Sequence, residues 1–189
     1  MNLQAMMFTD TLGTIKNDRL RGFAKMALGQ FNPYFFEIPA SSSGKYHSDS
    51  DRAYGGLVHH TKSTVLVFNH LMRTEQFDIT EHEADLGIIA LICHDALKNG
   101  TTDSGRTLSA HPLLASRFVR ELQVPTIYEL TSEELDIVCN CIERHSGIWN
   151  RDYVTQEEIM GKPETPLEKA VHLSDYIASR KEIEISLTK

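Results

Sequence analysis

LGIIALICHDALKNG, residues 86–100, is the stretch on which the reading turns. Thr80 and Glu83 precede it with capping-box spacing, and Asn99-Gly100 follows it as a stop signal. The apolar run between them predicts a helix buried on most of its faces. From Leu86 to Cys93 it is about half the ~18–20 residues needed to cross a bilayer, and it leads straight into His94 and Asp95. A carboxylate is almost never buried alone, because losing its hydration is very costly. Asp95 therefore demands a cation: Lys98, one turn on, or a metal ion shared with a neutral His94. For the dipeptide alone, a core histidine beside an Asp95–Lys98 pair is the simpler explanation.

Working outward, helical periodicity is expected over residues 17–29, from Gly56 to about Arg73, over 109–123, from Thr131 to His145 and from Thr165 to Arg180. Thr131 with Glu134, and Thr165 with Pro166 and Glu168, repeat the capping signature. Residues 31–55, with Pro33, Pro39 and Ser41-Ser42-Ser43-Gly44, read as irregular, and 34–38 and 124–128 carry weak extended signals. The fold class expected is all-α, a helical bundle of about six or more helices.

The chain's 189 residues suit one core, so a single domain over 1–189 is expected, its residues 1–45 reading as a helical and loop extension. The net charge of −7 speaks against broad nucleic-acid binding through a basic face. Cys93, Cys139 and Cys141 form no C-x-x-C pair and lie in apolar stretches, as reduced thiols do. With no basic, apolar leader at MNLQAMMFTD and no spanning segment, a cytoplasmic protein without a membrane partner is expected.

Further ligand candidates change the weight of His94 and Asp95. His60 lies on the apolar face of one helix, His111 near the start of another, His145 at the end of a third and Asp175 inside the last. Helices around one core can aim such groups at a common centre. His59 falls on a more polar line with Ser63 and Arg73, and His47, His70 and His82 read as surface residues. His172, three residues before Asp175, reads mainly as a packing residue.

The strings GGLVHHT at 55–61, LICHDALKNG at 91–100, LSAHPLLAS at 108–116, IERHSG at 142–147 and HLSDYIASR at 172–180 resemble the HD superfamily of metal-dependent phosphohydrolases. The nearest likeness is to the HD domain of YhaM-type 3′–5′ exoribonucleases, over roughly residues 46–180. The pattern departs from the family at Leu97, where relatives carry glycine, and at Ser146, where many carry a second histidine. The resemblance implies a divalent-metal centre, two ions drawn from Mn, Fe, Co, Ni, Zn or Mg. His60, His94 and Asp175 would serve one ion, His111 and His145 the other, with Asp95 between them.

It also implies metal-activated water attacking a phosphate ester of a nucleotide or short oligonucleotide. Asp95 and Lys98 would be the catalytic residues, and Lys45, Lys98, Arg144 and Trp149 the substrate contacts. The partner expected is a small phosphorylated substrate rather than a long nucleic acid. The alternatives left open are a 3′–5′ exonuclease or cyclic-nucleotide phosphodiesterase, a non-catalytic metal-binding regulatory module, and a di-iron oxygenase. The sequence does not specify an oligomeric state.

Overall fold

A computed structural model describes residues 3–42 and 47–187. Its helices run α1 (Leu3–Met6), α2 (Thr9–Leu12), α3 (Asp18–Leu28), α4 (Asp49–Arg52), α5 (Gly56–Met72), α6 (Glu81–Cys93), α7 (His111–Glu121), α8 (Ser132–Arg144) and α9 (Pro166–Ala178). Among the described residues the fold is all-α, and an isolated bridge between Arg151 and Glu158 is its β pairing. Three of the helices are single turns, so six longer ones carry the architecture. The two segments with extended signals are instead one-turn 3-10 helices, Pro33–Phe36 and Thr126–Tyr128. A proline opens the first and immediately precedes the second, fixing φ in a range that suits a turn as well as a strand.

α6 is the central rod. Every residue from Asp85 to Cys93 is buried, because α3, α5, α8 and α9 all pack on it. Gly87 permits the closest approach: a Cβ there would lie 2.8 Å from the Phe68 ring of α5 and 2.9 Å from Leu167 of α9. All three capping boxes form, with Thr80, Thr131 and Thr165 each accepting from the amide three residues on. The segments before α5 join the same hydrophobic core through Phe8, Ile15, Phe23, Phe31 and Phe35.

α6 ends earlier than Asn99-Gly100 suggests. From His94 the chain tightens into three-residue turns, with the Ala96 amide on the Cys93 carbonyl and the Lys98 amide on that of Asp95, both at 3.0 Å. The break falls where chemistry-bearing side chains begin, so His94 and Asp95 sit at a helix end rather than inside a helix. The three cysteines are buried and free, and burial raises their thiol pKa values.

A second buried carboxylate fastens the amino-terminal segment to the rod. Asp85 of α6 accepts the Lys16 amide at 2.9 Å and the Asn17 amide at 2.8 Å. Asn17 in turn caps α3 by accepting the amides of Arg19 and Leu20. Arg19 then pairs with Glu134 at the start of α8. Asp85→Ala leaves two amides without their acceptor, at about 1–3 kcal/mol in total. The expected fall in Tm, read by thermal circular dichroism, is roughly 3–10 °C for a chain of this size. An unchanged Tm would remove Asp85 from this role.

Candidate metal centre

The fold brings His60, His94, Asp95, His111, His145 and Asp175 together. His60 lies in the second turn of α5, His94 caps α6 with Asp95 next to it, His111 opens α7, His145 caps α8 and Asp175 lies in the last turn of α9. Three of the histidines therefore stand at helix ends, where the carbonyl of the preceding turn is within side-chain reach. His94 Nδ1 donates to the Leu91 carbonyl at 2.6 Å, His111 Nδ1 to that of Leu108 at 2.7 Å and His145 Nδ1 to that of Ile142 at 2.7 Å. A neutral imidazole has one N–H, so each ring is left with an Nε2 lone pair aimed inward.

Those lone pairs face other acceptors. His111 Nε2 lies 3.0 Å from Asp95 Oδ1 and 3.3 Å from His145 Nε2. His94 Nε2 lies 3.3 Å from Asp95 Oδ2 and 3.6 Å from Asp175 Oδ1. His60 differs: its Nε2 donates to Asp175 Oδ1 at 2.9 Å and lies 3.9 Å from Asp95 Oδ2. His94 Nε2 and Asp95 Oδ1 are wholly buried and have no hydrogen-bond partner. With neutral rings, such a cluster repels itself unless cations sit among its atoms. Ligand atoms of His60, His94 and Asp95 lie within 4.8 Å of one another, and so do those of Asp95, His111 and His145. The two sets share Asp95, whose two oxygens face different rings. Nitrogen and carboxylate donors in this mixture suit a divalent transition metal, so the residues fit the group.

The electrostatics register the same demand. Burial opposes charge on His94, yet Asp95 and Asp175 push its pKa up to about 10. Burial carries His145 down to about 3, and it lowers His60 as well. Burial would raise the carboxyls of Asp95 and Asp175, but Lys98, His94 and His111 hold Asp95, and His60 and His94 hold Asp175, well below the usual range. Lys98 Nζ rests on Asp95 Oδ2 at 2.5 Å. It is buried against the centre rather than paired with a surface carboxylate.

The centre floors a cleft of about 650 Å³, whose walls include Ser42, Lys98, Arg106, Trp149, Tyr153 and Tyr176. Trp149, half exposed, stacks on Tyr176 at 5.7 Å with the planes 13° apart. The Arg180 guanidinium lies 4.4 Å from the Tyr176 ring centroid on the same wall. Arg144 does not reach the cleft: Glu164 and Glu168 hold it at 3.2 and 3.0 Å, so two carboxylates divert it from the expected substrate contact. Lys45 lies outside the described residues.

Sequence reasoning misplaced one group. His47, read as a surface residue, is 9% exposed, and its ring stands edge-on to His60 with centroids 5.1 Å apart. His47 Nδ1 and His59 Nδ1 both bond to Asp51, at 3.2 and 2.7 Å. Burial opposes ionisation of Asp51, but these bonds hold its pKa down to about 2. Ser63, placed on the polar line with His59, is also buried. The four-residue step from His47 to Asp51 was the available signal, obscured by the serine-rich surroundings. His172 supports the centre from behind, with Nδ1 donating to the His145 carbonyl at 2.6 Å.

No curated protein and no solved structure matches the chain. Among the described residues no helix is long and apolar enough to cross a membrane. The family model described as HD domain matches residues 57–180, from the start of α5 to just past α9. That span contains all six converging residues. HD domains generally bind divalent metals and act as hydrolases of phosphorylated substrates. The match covers more than half of the chain, which belongs to the HD domain family.

Proposed function

We propose that this protein hydrolyses a phosphate ester of a nucleotide or short oligonucleotide at a centre of two divalent ions. The observation that carries the reading is the buried set of His94, His111 and His145 Nε2 atoms facing one another and the Asp95 carboxylate, with His94 Nε2 and Asp95 Oδ1 left without a hydrogen-bond partner. Divalent ions held there supply an activated water nucleophile and positive charge for the phosphoryl oxygens. The chain's own residues do the rest. His60, His94 and Asp175 would hold one ion and His111 and His145 the other, with Asp95 available to both. Lys98, which rests on Asp95 and lines the cleft, is a cation placed to meet a phosphoryl oxygen. Arg106 and Arg180 add positive charge along the walls, and burial of the floor keeps bulk water away from the reacting groups.

Asp95→Ala is expected to lower kcat by on the order of 1000-fold or more, because it removes a ligand common to both positions and the charge balance of the site. Far-UV circular dichroism should still report a helical fold. Unchanged turnover at saturating Mn²⁺ would overturn the site assignment.

The half-exposed Trp149, already stacked on Tyr176, offers a face for a planar base. Base stacking contributes about 1–3 kcal/mol, so Trp149→Ala should raise KM for a mononucleotide by roughly 5- to 100-fold. KM for ribose 5-phosphate should be unaffected. Equal effects on both would show that Trp149 only packs.

Substrate length follows from charge. A chain at −7, with 26 Asp+Glu against 19 Lys+Arg, is repelled overall by a long polyanion, whereas tight binding of a long strand takes many phosphate contacts and falls steeply with salt. Higher kcat/KM is expected on mononucleotides or short oligonucleotides than on long single strands, with a shallow salt dependence. Rapid degradation of long single strands with a steep salt slope would favour the 3′–5′ exonuclease reading instead.

A further inference from the structure

The histidines of the centre that stand at helix ends dispose of their second ring nitrogen alike, by donating Nδ1–H to the carbonyl three residues back. His60 cannot. It lies inside α5, where the Leu57 carbonyl belongs to the helix ladder and also accepts the Thr61 hydroxyl at 2.8 Å. Its Nδ1 is buried without a hydrogen-bond partner, while its Nε2 faces Asp175 and Asp95. If Nε2 serves as a ligand, the neutral ring must carry its proton on Nδ1, and a buried N–H without an acceptor is costly.

The acceptor facing that atom is Asp51 Oδ2, at 3.9 Å. Asp51 is 1% exposed, and no step in the proposed chemistry uses it. His59 holds its Oδ1 and His47 its Oδ2. Its main-chain carbonyl accepts the Ala40 amide at 2.8 Å, tying down the chain before α4. That carbonyl also lies 2.0 Å from where a Cβ on Gly56 would stand, so glycine at the start of α5 is what lets Asp51 come so close to His60. A carboxylate buried among imidazoles at this cost in desolvation is a built feature.

We propose that Asp51 is a positioning residue for the metal centre: its carboxylate accepts Nδ1–H of His60 and so fixes the tautomer and orientation in which Nε2 binds an ion. An approach of roughly 1 Å brings the pair into hydrogen-bond range. Carboxylates behind ligating histidines commonly act this way. The inference rests on His60 being a ligand.

The test is a calorimetric titration of Mn²⁺ into the metal-stripped full chain, for the wild type, His60→Ala, Asp51→Ala and the double variant. Asp51→Ala is expected to weaken by about 10- to 100-fold the binding event that His60→Ala also weakens. The double variant should bind no worse than His60→Ala alone, because both changes act through one ring. If Asp51→Ala does not fold, Asp51→Asn is carried through the same cycle. It keeps an acceptor without the charge, and a loss of roughly 3- to 10-fold is expected, again absent in the His60→Ala background. Affinity unchanged by the Asp51 substitution while His60→Ala weakens it would overturn the proposal and leave the ligand assignment standing, as would losses that simply add. Affinity unchanged by His60→Ala would overturn the ligand assignment and the proposal together.

Discussion

A concentration of electron pairs with too few protons to share governs this structure. Asp95 and Asp175 face the Nε2 atoms of His60, His94 and His111 across 2.9–3.9 Å, His145 Nε2 lies 3.3 Å from that of His111, and the rings of His94, His111 and His145 each give Nδ1–H to a main-chain carbonyl. Such a set is stable only around positive charge. Lys98 supplies one unit of it. Divalent ions, which HD domains generally bind, would supply the rest. The family shown by the match over 57–180 is one of metal binders, which agrees with this balance.

The helices answer to that constraint in how they end. α6 and α8 stop at His94 and His145, and α7 starts at His111, so each ring meets the carbonyl that orients it. α5 breaks the pattern by presenting His60 from within, and it is on α5 that a buried carboxylate, Asp51, appears behind the ring. The centre thus has two means of setting a ring, main-chain carbonyls at helix termini and an aspartate for the interior position. Around it, α6 gives rigidity, and the Asp85 bonds to Lys16 and Asn17 carry that rigidity to the amino-terminal segment.

Much of this was legible in the chain. Capping boxes at Thr80, Thr131 and Thr165 are local devices, and local chemistry decides them. The order His60, His94-Asp95, His111, His145, Asp175 could be read because each residue interrupts an otherwise apolar helix face or marks a helix end. What escaped depended on distant partners. Arg144 looked like a free cation beside His145, and only the fold shows Glu164 and Glu168 next to it. His47 stood among serines and looked exposed, but α4 folds it onto α5. The segments 34–38 and 124–128 carried residues acceptable to a strand, and with no neighbouring strand to pair with they took the 3-10 turns that Pro33 and Pro125 favour.

The central claim is that the acceptor cluster is a holder of two ions that share Asp95. Anomalous diffraction at the manganese edge, from crystals of the full chain grown with Mn²⁺, tests it most directly. The account predicts two peaks, one among His60, His94 and Asp175 and one beside His111 and His145, with Asp95 between them. A map with no peak at Asp95, and with the Nε2 atoms of His94, His111 and His145 turned away from it, would contradict the account.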